Sequence, residues 1–74
     1  MSQEIKISAR ERIAKNIQEY RMKQNIKREK LSLAIDVDNS YISKLEKCKV
    51  NITIDKIEAL AEYFGIDIID LLKP

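Results

Sequence analysis

Apolar side chains recur along this chain three or four positions apart, the spacing of one face of a helix, and no segment carries a strand signal. Ile13, Ile17 and Tyr20 line one face of a first helix, predicted from Ala9 to about Gln24. Ser8 at its cap and Glu11 three residues on form a capping box. Asn25 suits the left-handed position that ends such a helix, and Ile26 then returns the chain to the core. Leu31 and Ile35, four apart, mark a second helix over roughly Arg28 to Ile35, and Ile42 and Leu45, three apart, mark a third over roughly Asn39 to Lys47. After a loop from Cys48 to Ile52, Thr53 caps a fourth helix, Ile54 to Phe64, in which Ile57, Leu60, Ala61 and Phe64 fall at i, i+3, i+4 and i+7. Gly65, the only glycine, ends it, and Asp67 caps a short fifth helix from Ile68 to Leu72. The predicted architecture is all-α, a compact five-helix bundle without repeats or linkers. Residues 1–7 show no periodicity and are expected to form a flexible arm.

The stretch from Arg28 to Glu46 carries the most information. Between its two helices Asp36 and Asp38 flank Val37; Asp tolerates a left-handed turn, and Asp38 can cap the amides that open the next helix. Ser32, small and beside Leu31, allows another helix to cross closely. Two short amphipathic helices around a three- to four-residue polar turn are the pattern of a helix-turn-helix. The third helix leaves Asn39, Ser40, Ser43, Lys44 and Lys47 on its outer side, polar side chains of the kind that read base edges.

Composition narrows the chemistry. At 74 residues the chain makes one small domain, 1–74, with little room for a deep catalytic cleft. Apolar residues make up 45% and charged ones 35%, which suits a folded helical domain and is too apolar for disorder. There is no His and a single Cys, Cys48, so neither a metal cage nor a Cys/His nucleophile can be assembled; no metal, cofactor or small-molecule ligand is expected. Glu58 and Glu62 are predicted on an exposed helix face, so paired-carboxylate catalysis has no pocket and the chain is not read as an enzyme. No apolar run approaches the roughly 20 residues that cross a bilayer, and the N-terminus lacks a signal-peptide core, which predicts a cytoplasmic protein. Net charge is only +2, but residues 1–52 hold 12 Lys/Arg against 7 Asp/Glu while residues 53–74 hold 2 against 5. A domain that turns one pole toward a polyanion has this distribution, as does one with two solvated faces.

From about Ile13 to Leu72 the sequence resembles the lambda-repressor-like helix-turn-helix family of phage repressors, Cro proteins and XRE-type regulators. The resemblance rests on Leu31-Ser32, on Val37 through Glu46 (VDNSYISKLE), on Lys49 with Asn51, and on Leu60-Ala61 leading to Phe64-Gly65-Ile66, in one register without gaps. It implies that the third helix lies in the major groove of double-stranded DNA, with Asn39, Ser40, Ser43 and Lys44 toward the bases. It likewise implies that Lys27, Arg28, Tyr41, Lys47, Lys49 and Asn51 contact phosphate, although Tyr41 alternatively packs on the helix surface and Lys47 and Lys49 are alternatively solvated. Arg21 and Glu46 match positions that pair across the family's core, and are read as a structural ion pair.

Three positions depart from the family pattern. Lys27 stands where Ser or Thr usually caps the second helix, which predicts a frayed or phosphate-dependent start. Asp36 and Cys48 stand where Gly is common; Cys48 accepts a left-handed geometry less readily, so the loop after the third helix is expected to follow a somewhat different path. The resemblance also implies a homodimer on a near-palindromic operator, with recognition helices roughly 34 Å apart. The acidic end, residues 66–74, is the expected interface, through Ile69 and Leu72, together with Ile52. With no sensor module expected, activity would follow concentration. Among short relatives the tract NITIDKIEALAEYFGI is most similar to the controller proteins of restriction-modification systems. A compact phage repressor, an antitoxin-type autorepressor and, in a different class, a small helical protein-interaction module remain the alternatives.

Overall fold

The computed structural model describes residues 8–74. The predicted N-terminal arm, residues 1–7, lies outside the described residues. Four α-helices follow one another, α1 (Ala9–Lys23), α2 (Arg28–Ala34), α3 (Tyr41–Glu46) and α4 (Ile54–Phe64), and the chain closes with a 3-10 turn (Ile68–Leu71). The expected five-helix bundle is therefore corrected to four α-helices and a 3-10 turn. The final segment is held by three-residue bonds, from the Asp70 amide to the Asp67 carbonyl at 2.9 Å and from the Leu72 amide to the Ile69 carbonyl at 2.9 Å.

The starts of α1 and α4 match the sequence reading. The Glu11 amide donates to the Ser8 hydroxyl and the Ser8 amide to the Glu11 carboxylate, both at 3.1 Å, completing the capping box. Thr53 accepts from the Lys56 amide at 3.2 Å. The third helix begins later than predicted. Asn39 and Ser40 form a tight turn, closed by the Tyr41 amide on the Asp38 carbonyl at 2.9 Å, before regular helix sets in at Tyr41.

One termination device is used four times. After α1, α2, α3 and α4 the left-handed residue is Asn25 (φ 58), Asp36 (φ 57), Cys48 (φ 58) and Gly65 (φ 75). In each case its amide and the next residue's amide turn back onto the last helical carbonyls: Ile26 onto Arg21, Val37 onto Ser32, Lys49 onto Lys44, Ile66 onto Ala61, all within 2.8–3.0 Å. Cys48 thus adopts the left-handed conformation that glycine favours, and the reversal after α3 takes the same form as the other three. The residue after each reversal is half-buried against the core in three cases, Ile26, Val37 and Ile66, and is an exposed lysine, Lys49, only after α3. After α3 the return to the core comes one residue later, at Val50.

A continuous core of Ile13, Ile17, Leu31, Ile35, Ile42, Leu45, Ile57, Leu60, Ala61, Phe64 and Leu71 joins every element. α1 packs against α3, α4 and the 3-10 turn, while α2 packs against α3. Ile17, Leu31, Ile42, Leu60 and Leu71 are completely buried, each contributing about 1.5–3 kcal/mol of apolar burial. Ser32 is completely buried too, in keeping with its expected place at a close helix crossing. On α1, Asn16 shares the buried face with Ile13 and Ile17 and donates to the Leu71 carbonyl at 2.9 Å and the Lys73 carbonyl at 2.7 Å. It fixes the end of the chain against α1.

Candidate nucleic-acid interface

The turn into α3 is organised by Asp38. Its carboxylate accepts from the Ser40 hydroxyl at 2.6 Å and the Ser40 amide at 3.2 Å, and these bonds, the hydroxyl first, hold the carboxyl below its ordinary value. From there α3 turns Ile42 and Leu45 inward, both buried. Ser40, Ser43, Lys44 and Lys47 are spaced three and four apart, so they fall together on the other side of the helix. Asn39, Lys44 and Lys47 are exposed, and Ser40 and Ser43 are half-buried. Lys49 and Asn51 continue this exposed surface into the loop. Tyr41 is half-buried and packs against the core, and that burial pushes its hydroxyl pKa up.

The placement of α3 is fixed by charge as well as by packing. Arg21 on α1 donates through Nε to Glu46 Oε2 at 2.7 Å and through Nη1 to the Ile26 carbonyl at 3.0 Å. The Arg21 and Glu46 side chains are 10% and 4% exposed, so the pair is sheltered from water. Arg28, at the start of α2, joins them with Nε 3.0 Å from Glu46 Oε1, its own side chain 50% exposed. One carboxylate therefore serves two guanidiniums from two other helices. Beside Arg28, Lys27 precedes α2 without a side-chain hydrogen bond to its amides.

Sequence reasoning missed two contributions near this surface. Arg10, in the first turn of α1, donates to the Asn51 side chain and bridges to the loop beyond α3. Lys56 on α4 donates to the Ile35 carbonyl at 3.3 Å, at the end of α2. Neither contact has a local signal, since the partners lie 41 and 21 residues apart. Asn16 was missed as well, although a polar residue set into the apolar periodicity of α1 is a local signal for it.

In the C-terminal segment Ile69 is 61% and Leu72 40% exposed, so both apolar side chains stand open to solvent, with Tyr63 nearby in sequence at 38%. Ile52 is half-buried and packs against the core. Among the described residues no cluster of potential metal ligands is found, and no helix is long and apolar enough to cross a membrane.

Comparison with known proteins identifies the family and the fold. The family model described as Helix-turn-helix matches residues 17–71. The control protein C.BamHI of Bacillus amyloliquefaciens is 36% identical over 50 residues, which are 68% of this chain and 62% of that protein. The match thus spans less than two thirds of that relative's length. Among solved structures, the hypothetical transcription factor NHTF from Neisseria superposes over 100% of this chain and 87% of its own with a TM-score of 0.86 and 26% identity. The restriction-modification controller protein C.AhdI from Aeromonas hydrophila shares the fold, with a TM-score of 0.78 over 84% of this chain and 94% of that one at 22% identity. The similarity to controller proteins expected from the C-terminal tract is therefore found in a sequence relative and in a structural one.

Proposed function

The chain belongs to the helix-turn-helix family of DNA-binding transcription regulators and is not an enzyme, and from that premise we propose that it acts as a homodimer on a near-palindromic operator, as an autoregulating controller of a restriction-modification system. The observation that carries the DNA-reading role is the set Asn39 and Ser40 in the turn into α3 with Ser43 and Lys44 on the outer side of that helix, whose inner side is buried and whose end is tied down through Glu46. In this reading those four residues meet base edges, with Lys44 donating to guanine acceptors. Lys27, Arg28, Tyr41, Lys47, Lys49 and Asn51 hold the flanking phosphates. The similarity to C.BamHI supports the controller assignment. The exposed Ile69 and Leu72 support a two-fold contact at the acidic end, which in this reading also includes the half-buried Ile52.

The test is selection of bound sites from a random duplex pool, followed by binding of wild type and variants to the selected site and to random duplex. Lys44→Ala is expected to lower discrimination by roughly 1–3 kcal/mol, whereas Lys49→Ala weakens both complexes similarly and reduces the salt slope by about one. A preferred sequence unchanged by Lys44→Ala would refute the assigned register of α3. Absence of binding to any duplex at low salt would refute DNA recognition by this surface and favour a protein partner for α3.

A further inference from the structure

We propose that Glu46 is a positioning residue for DNA binding: it holds Arg28 by Nε so that the two Nη groups of the same guanidinium are presented, already oriented, to a DNA phosphate. The inference rests on the phosphate-contacting role given to Arg28 above and adds how that contact is prepared.

The geometry separates the two arginines that share Glu46. Arg21 is spent within the fold: Nε reaches Glu46 Oε2 at 2.7 Å, Nη2 reaches Oε1 at 3.4 Å, and Nη1 reaches the Ile26 carbonyl at 3.0 Å. Arg28 makes one contact to the carboxylate, through Nε at 3.0 Å, and among the described residues its Nη groups have no hydrogen-bond partner. Half of its side chain faces solvent, while Glu46 is almost fully enclosed. One carboxylate against two guanidiniums leaves the cluster a charge of +1, and that surplus is exposed only at Arg28. A guanidinium is a rigid planar fork, so fixing Nε also fixes the plane and direction of both Nη groups. A side chain otherwise free to sample many rotamers is ordered before DNA arrives, which lowers the entropy lost on binding. Lysine cannot reproduce this, because its ammonium is a point charge on a flexible stem, and holding one of its donors on Glu46 fixes no planar fork toward phosphate.

The experiment compares Arg28→Lys and Arg28→Gln with wild type in binding to a random duplex across a salt series. Thermal unfolding of each variant confirms the fold. Both substitutions are expected to weaken binding by about tenfold, even though lysine retains the charge, because the oriented charge-assisted bond is lost in each. If Arg28→Lys binds as wild type while Arg28→Gln does not, the phosphate contact stands and positioning by Glu46 is overturned. If both bind as wild type, the phosphate role of Arg28 itself has failed. A nitrogen-15 spectrum of the arginine Nε groups supplies the readout that a merely structural Glu46 would not move. The Arg28 Nε–H signal should be protected in the free protein and remain so with DNA bound. Its return to the position of a solvated arginine on adding duplex would overturn the proposal, whatever the stability of Glu46 variants.

Discussion

The pair α2–α3 and the helix α4 are built by opposite means. α4 has 11 residues, a Thr53 cap at its start and Gly65 at its end, with a broad apolar face between them. α2 and α3 have 7 and 6 residues, neither start receives a side-chain cap of the kind seen in α4, and they end in Asp36 and Cys48 forced into the left-handed region. Helices that short are unstable alone, since isolated helices below about 12–15 residues are marginal even with favourable sequences. α2 and α3 exist because Leu31, Ser32, Ile35, Ile42 and Leu45 are buried and because Glu46 reaches Arg21 and Arg28. The difference teaches that the helix assigned to reading DNA is specified by distant residues. Its outer side is thereby left free of the demands of helix propensity, and a polar residue such as Ser43 can occupy it, with Asn39 and Ser40 in the turn before it.

The largest effect that would break this comparison is expected from Glu46. Glu46→Ala leaves two guanidiniums facing each other, one of them buried, and should cost about 3–5 kcal/mol of unfolding free energy. Arg21→Ala should cost less, because Glu46 keeps Arg28 as a partner. Urea unfolding of both variants checks the order, and an Arg21→Ala protein less stable than Glu46→Ala would show that Arg28 does not compensate. Among the described residues no ion pair ties α4 to another helix.

The helix ends give the next smaller effects. At Gly65 an added Cβ would meet nothing within 4 Å, so Gly65→Ala probes backbone strain alone and should cost about 1 kcal/mol. Cys48→Gly runs the other way: relief of strain at φ 58 outweighs the extra freedom of the unfolded chain, for a gain of about 0.5–1 kcal/mol. Asp36→Gly should gain less, because Asp is more at ease in this conformation. At the starts, Thr53→Ala should lose about 1 kcal/mol, and Lys27→Ser should gain up to about 1 kcal/mol by supplying the cap that α2 lacks. Thermal melts at constant pH measure all five. The comparison fails if Lys27→Ser is neutral while Thr53→Ala is costly, since α2 would then have no unmet need at its start.

What the sequence made legible follows the same division. α1 and α4 were readable because their caps and periodicity are local, and Gly65 because its chemistry names its conformation. The Arg21–Glu46 pair was visible through the family resemblance. The sharing of Glu46 with Arg28 was not, since a contact across 18 residues depends on how α2 crosses α3. The start of α3 was read two residues early because Asp38 supports a tight turn at Asn39 and Ser40 that only then becomes helix. Ile52, named with Ile69 and Leu72 as an interface residue, is half-buried against the core, whereas the other two are open. Its apolar character alone did not distinguish those fates.

The smallest expected effect is also the most local support that α3 has. Asp38 accepts from Ser40 by hydroxyl and amide, and its carboxyl lies below the ordinary carboxylate value. A folded-state pKa lowered in this way adds stability that is fully present above the unfolded pKa and is lost as pH falls through the folded one. Asp38 is exposed at the surface, so solvent screens the contribution and it should remain minor. Asp38→Asn removes the titration while keeping an acceptor for Ser40, so the variant should be slightly less stable than wild type at neutral pH, lose less stability on acidification through the carboxylate range, and converge with wild type in acid. Unfolding followed from pH 7 downward checks this. A wild-type acid limb matched by Asp38→Asn would mean that the turn into α3, like the helix itself, is held by the core and by Glu46 rather than by its own cap.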